Sequence, residues 1–464
     1  MPLTLTNTLS GQREEFICEK EPVTMYICGM TVQGPPHVGH LRAYVVADIL
    51  IRYLKYLGYT LRVIQNFTDI DDKIIERAGK EKRDYRIIAQ ENIDEYFKVA
   101  DKMNITRASF YPLATQHIQE IIELIQRLLN KGFAYTSGGD VYFSVEKFKD
   151  YGKLSKKRVD DLVAGARVEV RKDKKSALDF ALWKEAKPGE PYFYSPWGKG
   201  RPGWHIECSA MAMTYLGETI DFHLGGEDLI FPHHENEIVQ SEAATGKRFV
   251  RYWIHNAMLN LRGEKMSKST YHFITAKELL EKYHPNVIRL YFLKSHYRSP
   301  QEFDFELLDE NKNAYLRIED FLAQAEELGV TGTEDVANEV REKFQNAMND
   351  DLNTPRVIAM LFEAVKDGFS ALNQKNQVVV NSKYNEILFY LNQLGFISEK
   401  LHRMLGADLP KSLESKALEK ILQARSLARQ KKEYEIADLI RGGLENMGLV
   451  LEDTENGIRI KKKY

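Results

Sequence analysis

Between residues 23 and 66 the chain alternates a β-rich stretch, a helical repeat and a second β-rich stretch, and this alternation restricts the fold more than anything else in the sequence. Val23-Thr-Met-Tyr-Ile27 has the β-branched and aromatic content of a strand, and Gly34-Pro-Pro36 punctuates the chain after it. Leu41, Val45, Ile49, Tyr53 and Leu57 then recur every four residues, the spacing of one helix face, and Gly58 ends the repeat. Leu61-Arg-Val-Ile-Gln-Asn66 supplies the next strand. A strand, a helix and a strand in such close succession form the unit from which parallel sheets are built. The expected site is a nucleotide-binding crevice at the carboxyl ends of those strands.

The pattern changes several times along the 464 residues, too many for one ordinary core. Residues 1–113 read as the first half of a Rossmann-like catalytic domain. Residues 114–200 carry a helix, a Gly138–Phe143 strand and a highly charged stretch from Lys153 to Lys175, the character of a connective insertion. Residues 201–306 return to the sheet-type pattern. Residues 307–398 have helical periodicity with almost no β signal and are expected to form a helical bundle. Residues 399–464 form a small, helix-rich terminal domain ending in Lys461-Lys-Lys463. The expected class is α/β: a parallel-sheet catalytic domain with an insertion, then a helical bundle and a small C-terminal domain.

Charged residues make up 28 % of the chain and hydrophobic ones 43 %, the balance of a globular protein in water. Sixty-five Lys plus Arg against sixty-seven Asp plus Glu leave a net charge of −2, so a nucleic-acid partner would be held by local basic patches. Met1 to Glu15 lacks the apolar core of a secretory signal. The best apolar stretch, Ala43 to Tyr59, is broken by Asp48, Arg52 and Lys55, and no membrane span is expected. The three cysteines, Cys18, Cys28 and Cys208, are too few for a disulfide framework and suit a reducing, cytoplasmic compartment.

His37-Val-Gly-His40 stands where the first strand has ended and the helix begins, so backbone N–H groups and the helix dipole face any phosphate bound there. Gly39 leaves room for a flat base, and His37 and His40 can donate hydrogen bonds to phosphate oxygens. Alone, the pattern suits a histidine-rich helix cap as well. Far downstream, Lys265-Met-Ser-Lys-Ser269 offers two ammonium groups and two hydroxyls on a polar loop, a set suited to a triphosphate. The two segments in this order resemble the two signatures of class I aminoacyl-tRNA synthetases.

A second group has the donors of a soft metal site. Cys28 lies just past the first strand, Cys208 closes Gly203-Trp-His-Ile-Glu-Cys208, and Phe231-Pro-His-His-Glu-Asn-Glu-Ile238 opens another helix. On a helix His233 and Glu237 share one face, and two thiolates would complete a tetrahedral shell suited to zinc, with His234 pointing elsewhere. Cysteines so far apart in sequence are more often independent core residues than co-ligands. A peptidase of the H-E-x-x-H type is excluded, because His234-Glu-Asn-Glu is followed by Ile238 where the second histidine must stand.

Longer stretches extend the resemblance over nearly the whole chain. Cys28-Gly-Met-Thr31, Asn66-Phe-Thr-Asp-Ile-Asp-Asp-Lys73, Phe180-Ala-Leu-Trp-Lys184, Pro202-Gly-Trp-His-Ile-Glu-Cys-Ser209, Gly225-Gly-Glu-Asp228 and Ser295-His-Tyr-Arg-Ser-Pro300 resemble those of the cysteinyl-tRNA synthetase family. The resemblance implies one Zn2+ per chain on Cys28, Cys208, His233 and Glu237, selecting the thiolate of L-cysteine over a serine hydroxyl. It implies an ATP site at His37, Gly39, His40, Lys265 and Lys268, with Mg2+ accompanying the ATP. Gly29, Thr31, Thr68, Trp204 and Asp228 match the amino-acid and adenylate pocket.

The same resemblance gives tRNA(Cys) as acceptor, a bundle against the tRNA stem, and a terminal anticodon-recognising domain in which Arg429, Tyr434, Asp438 and Asp453 fall on the reading positions. An arginine, an aromatic ring and carboxylates are what unstacked bases require. Tyr434 stands where the family resemblance suggests tryptophan, and Glu227 where it suggests serine. The expected protein is a cytoplasmic monomer. A zinc-dependent cysteine ligase of the mycothiol-synthesis type would share the zinc and ATP sites but lacks a terminal domain such as 412–464. A catalytically dead RNA-binding relative would have no need of His37, His40, Lys265 and Lys268.

Overall fold

The computed structural model describes residues 2–158, 174–261, 274–333 and 335–397, together with 421–422, 424–425, 427–429, 431, 434–446, 449–454 and 457–462. An antiparallel hairpin, β1 (Thr4–Asn7) and β2 (Gln12–Glu15), opens the chain. The expected strand, helix and strand follow as β3 (Val23–Ile27), α1 (Val38–Tyr56) and β4 (Leu61–Gln65), with β3 and β4 parallel from Val23 opposite Leu61 to Ile27 opposite Gln65. Leu41, Val45, Ile49 and Tyr53 are buried, and Gly58 turns the chain at a φ of 93°.

Helices α2 (Asp72–Glu81), α3 (Tyr85–Lys102) and α4 (Ile118–Asn130) lead to a second, antiparallel sheet. Its strands are β5 (Ala134–Ser137), β6 (Asp140–Phe143), β7 (Phe180–Glu185), β8 (Phe193–Ser195) and β9 (Gly198–Pro202), in the order β5-β6-β7-β9-β8. Where the sequence suggested a single strand over Gly138–Phe143 there is a hairpin, because Gly138, at a φ of 60°, reverses the chain between β5 and β6. Arg201 of β9 and Lys184 of β7 reach Asp72 at 2.8 and 2.7 Å and tie this sheet to the start of α2. Most of the charged run from Lys153 to Lys175 lies outside the described residues.

The parallel core is completed by α5 (Trp204–Leu216), β10 (Ile220–Gly226), α6 (Glu235–Thr245) and β11 (Val250–Asn256). Strand order is β11-β10-β3-β4, all neighbours parallel. From β3 the chain winds outward to β4, and later from β10 outward to β11, so the winding reverses between β3 and β10. A crevice at the carboxyl ends of those two strands is where α/β sheets bind ligands.

Beyond the core run β12 (Leu259–Leu261), α7 (Ala276–Lys282), α8 (Pro285–Leu293) and β13 (Gln301–Phe303), with β12 and β13 parallel. Four helices follow, α9 (Phe305–Glu327), α10 (Asn338–Met348), α11 (Thr354–Asn373) and α12 (Gln377–Gln393). Their buried Phe321, Phe344, Leu361 and Ile387 share one core with residues of the parallel sheet. The terminal segment contains α13 (Tyr434–Asn446) but ends in an antiparallel pair, β14 (Leu449–Thr454) and β15 (Gly457–Lys462), not in helix. The short apolar run Leu449-Val-Leu and the alternation in Gly457-Ile-Arg-Ile carry the strand signal that the helical reading passed over. Among the described residues no helix is long and apolar enough to cross a membrane.

Candidate active site and metal centre

Cys28 follows β3 directly, and its backbone N–H donates to Leu224 O of β10 at 3.0 Å, so its side chain emerges between the two strands where the winding reverses. At Gly29 an added Cβ would lie 1.5 Å from Asn66 O, so only glycine lets the two strand ends approach this closely. Thr31 and Thr68 pair as an isolated bridge, and Thr68 Oγ1 donates to the buried Glu207 Oε2 at 2.9 Å.

Cys28, His233, His234 and Glu237 each offer a ligand atom within 4.8 Å of the others, all buried. His233 Nε2 stands 3.4 Å from Cys28 Sγ and 3.1 Å from Glu237 Oε1. Cys208, buried on α5, lies beside Cys28 and the two free thiols are hydrogen-bonded to each other. The helix that positions Glu237 starts at Glu235, later than the sequence suggested, because Phe231 is extended (φ −139°, ψ 129°). The turn over Ile230–His234 still aligns His233 with Glu237.

His234 was expected to point away, yet its Nε2 turns toward Glu237 Oε1 at 3.9 Å while its Nδ1 meets His255 Nε2 at 2.7 Å. Gly225 makes room for this ring, since a Cβ there would come within 2.6 Å of it.

Burial dominates the protonation of Glu237 and the histidines. It holds Glu237 well above the usual carboxylate range and His233 well below the usual imidazole range, with His205 and His223 adding to the latter. For Cys28, burial and Glu237 outweigh the hydrogen bond with Cys208, which favours the thiolate, so its thiol is raised. Cys208 is raised strongly, first by its bond to Cys28 and then by burial. Neutral imidazoles, the Cys28 thiol with Cys208 beside it, and a carboxyl whose pKa is raised by burial are donors that a divalent cation would convert to ligands. Glu237 Oε1 and His234 Nε2 have no hydrogen-bond partner among the described residues, although fully buried. This donor set fits zinc.

Around these donors lie partners that the sequence did not disclose. His223 Nε2 meets Glu237 Oε2 at 2.9 Å, and His205 Nδ1 meets His233 Nδ1 at 2.9 Å. Burial brings the pKa of both His223 and His205 down to about 3, so these contacts are hydrogen bonds between neutral rings and their partners, not ion pairs. His255 Nδ1 continues the chain to Thr8 Oγ1 at 2.8 Å. Single histidines scattered over helix and strand have no spacing to announce them. Trp204, 36 % exposed, stacks on His233 with ring centroids 4.3 Å apart and forms the open wall of the cluster.

At the start of α1, His37 and His40 cap the helix reciprocally: His37 Nδ1 accepts from His40 N at 3.4 Å, and His40 Nδ1 from His37 N at 3.3 Å. Their rings stack at 3.6 Å. Burial lowers both, His37 to about 4, so both are neutral near pH 7. With each Nδ1 accepting, each ring proton sits on Nε2, the tautomer that can donate. Gly39 is constrained from within the motif, since a Cβ there would press on the His37 ring at 3.2 Å.

Asp228 lies in the turn Glu227–Leu229 after β10, and Glu227 accepts from Met258 N at 2.8 Å. Lys265 and Lys268 lie outside the described residues. In the terminal segment Arg429 is exposed, Tyr434 and Asp438 are exposed one turn apart on α13, and Asp453 belongs to β14.

The family model described as tRNA synthetases class I (C) catalytic domain matches residues 15–313, and the DALR domain model matches 343–398. Curated proteins named cysteine–tRNA ligase from Sulfurihydrogenibium sp. (strain YO3AOP1) and Aquifex aeolicus (strain VF5) are 45 % and 44 % identical over all of this chain and 100 % and 99 % of their own length. The chain belongs to the cysteine–tRNA ligase family. A solved methionyl-tRNA synthetase from Mycobacterium tuberculosis, in complex with methionyl-adenylate, has the same fold, with a TM-score of 0.62 at 14 % identity over 83 % of this chain and 93 % of that one. In this cysteine–tRNA ligase family member, Cys28, His233, His234 and Glu237 lie together and Cys208 adjoins Cys28.

Proposed function

We propose that the crevice between β3 and β10 activates L-cysteine with ATP and passes it to the 3'-terminal adenosine of tRNA(Cys). In this reading a zinc ion on Cys28, Cys208, His233 and Glu237 selects the amino acid. One observation carries the metal: Glu237 Oε1 is buried without a hydrogen-bond partner, 3.1 Å from His233 Nε2, beside two thiols. Bound there, zinc supplies a soft acceptor that takes a thiolate in preference to a hydroxyl, a selectivity that an apolar pocket does not reach.

The remaining work falls to the chain's own residues. Trp204 closes the small pocket beside His233, and Glu207 fixes the hydroxyl of Thr68 at the pocket floor. Gly29, Thr31 and Asp228 complete its rim. The cysteine carboxylate attacks the α-phosphate of ATP, so no side chain serves as nucleophile and catalysis is positioning plus charge stabilisation. His37 and His40 present Nε2–H donors at a helix N-terminus, where phosphate oxygens gain charge. Lys265 and Lys268 are assigned to the triphosphate, which Mg2+ accompanies.

The same reading divides the chain into a catalytic domain over 1–113 and 201–306, an insertion over 114–200, a stem-contacting bundle over 307–398 and an anticodon domain over 399–464. Arg429, Tyr434, Asp438 and Asp453 are assigned to anticodon bases, in a cytoplasmic monomer.

Aminoacylation of unfractionated tRNA with radiolabelled cysteine, with serine as control and zinc quantified on the same sample, tests the reading. Labelling by cysteine alone, with one zinc per chain, is expected. Cysteine-dependent AMP formation without labelled tRNA would point to a ligase with another acceptor.

A further inference from the structure

Arg42 is 1 % exposed, yet it lies on α1 only two residues beyond His40. Its guanidinium spends its donors on three backbone carbonyls: Ala257 O at 2.9 Å and Met258 O at 2.7 Å through Nη1, and Ser299 O at 2.6 Å through Nη2. Ala257 and Met258 join β11 to β12, and Ser299 lies just ahead of β13, which pairs with β12. The Met258 peptide is gripped from its other side as well, because its N–H donates to Glu227 in the turn after β10.

The far end of the same connection also rests on α1. Val38 N donates to Ile274 O at 3.1 Å, Ala276 N donates to Pro36 O at 2.8 Å, and His37 pairs with Thr275 in an antiparallel bridge. The first turns of α1 therefore hold the chain on both sides of residues 262–273, at 257–258 through Arg42 and at 274–276 through the backbone. The sequence places Lys265 and Lys268 between these two anchors.

We propose that Arg42 is a positioning residue for ATP: it fixes the start of the connection that carries Lys265 and Lys268 against the helix turn that presents His37 and His40. It touches neither substrate. The fork of Arg is needed because a lysine ammonium, a single point charge, cannot span carbonyls from two separate segments. Backbone anchors hold the far end whatever the side chains, so Arg42 is the only side chain among the described residues seen to bind the start of the connection directly to α1. The inference rests on the reading of His37 and His40 as phosphate-facing groups.

The test is pyrophosphate exchange by full-length Arg42→Ala and Arg42→Lys, with zinc content measured on each. Arg42→Ala is expected to raise KM for ATP and lower kcat, each by about tenfold or more, while KM for cysteine and zinc content stay within about twofold. Millimolar methylguanidinium should restore part of the rate to Arg42→Ala, and Arg42→Lys should fall between it and the parent. If Arg42→Ala does not fold, the same split between ATP and cysteine in Arg42→Lys carries the test. Unchanged ATP parameters, or a parallel loss of zinc, cysteine and ATP binding in a soluble variant, would overturn the proposal. His40→Asn separates the two levels: if it too leaves exchange intact, the phosphate reading itself fails, whereas a crippled His40→Asn beside normal Arg42 variants rejects Arg42 alone.

Discussion

His223 Nε2 lies 2.9 Å from Glu237 Oε2, and this hydrogen bond holds the other carboxylate oxygen, Oε1, toward His233 Nε2. Such outer partners orient a metal ligand and typically change affinity by about 10- to 100-fold when removed. His223→Leu is therefore expected to fold and to bind zinc about that much more weakly in competition with a chelator, since the ring is replaced by an apolar group of smaller size in a dry site. Unaltered affinity would mean that Glu237 needs no second partner to hold its orientation.

Cys208 and His234 compete for the same role beside Cys28, His233 and Glu237. Thiolate is the softer donor, which favours Cys208, bonded to the Cys28 thiol, while His234 offers an unpartnered Nε2 and has its Nδ1 held by His255. Cys208→Ser should lose most bound zinc and cysteine-dependent exchange, and His234→Gln should keep about one zinc per chain with weakened cysteine binding. Metal analysis of the two purified variants decides between them, and the reverse ranking would make His234 the fourth ligand.

Gly29→Ala tests the approach of β3 to β4. Its Cβ would fall 1.5 Å from Asn66 O, a backbone atom with nowhere to retreat because Gly29 N is itself held by Asn66 Oδ1 at 2.9 Å. The strand ends must part, and Cys28, the adjacent residue, moves with them. Loss of cysteine activation by at least about 100-fold is expected, read by pyrophosphate exchange, with a smaller fall in thermal stability. Activity near that of the parent would show that the pocket tolerates the displacement.

How much of this was legible in sequence differs by element. The β3-α1-β4 unit was readable because Leu41, Val45, Ile49 and Tyr53 repeat with the helix period and are buried together. The pairing of Cys28 with residues near 208 and 233 was not, because a separation of that length carries no geometry, and only the family resemblance brought these residues together. His205, His223 and His255 stayed invisible for a related reason: each enters the site from a different element, and a lone histidine has no period. The terminal β14–β15 pair was not legible because the helical pattern of the neighbouring α13 adjoins two strands of only six residues each.

The junction of catalytic core and bundle offers a test that is independent of any ligand. Asp48 of α1 is fully buried and meets Arg289 of α8 and Arg52, each at 2.8 Å, while Arg289 also donates to Met103 O and Leu394 O. Burial raises the Asp48 carboxyl, but the two guanidinium groups outweigh it and hold the carboxyl below its ordinary range. A carboxyl whose folded pKa lies below its unfolded value of about 3.9 stabilises the fold above that pH, and the contribution fades as pH falls through the folded value. Asp48→Asn leaves Arg289 buried without its counter-charge, which costs about 3–5 kcal/mol near neutral pH. The stability gap between parent and variant, followed by thermal or urea unfolding, should be widest near neutrality and narrow steadily below about pH 4. A gap that stays constant across that range would mean that the charge of Asp48 is not what secures Arg289 of α8 to α1.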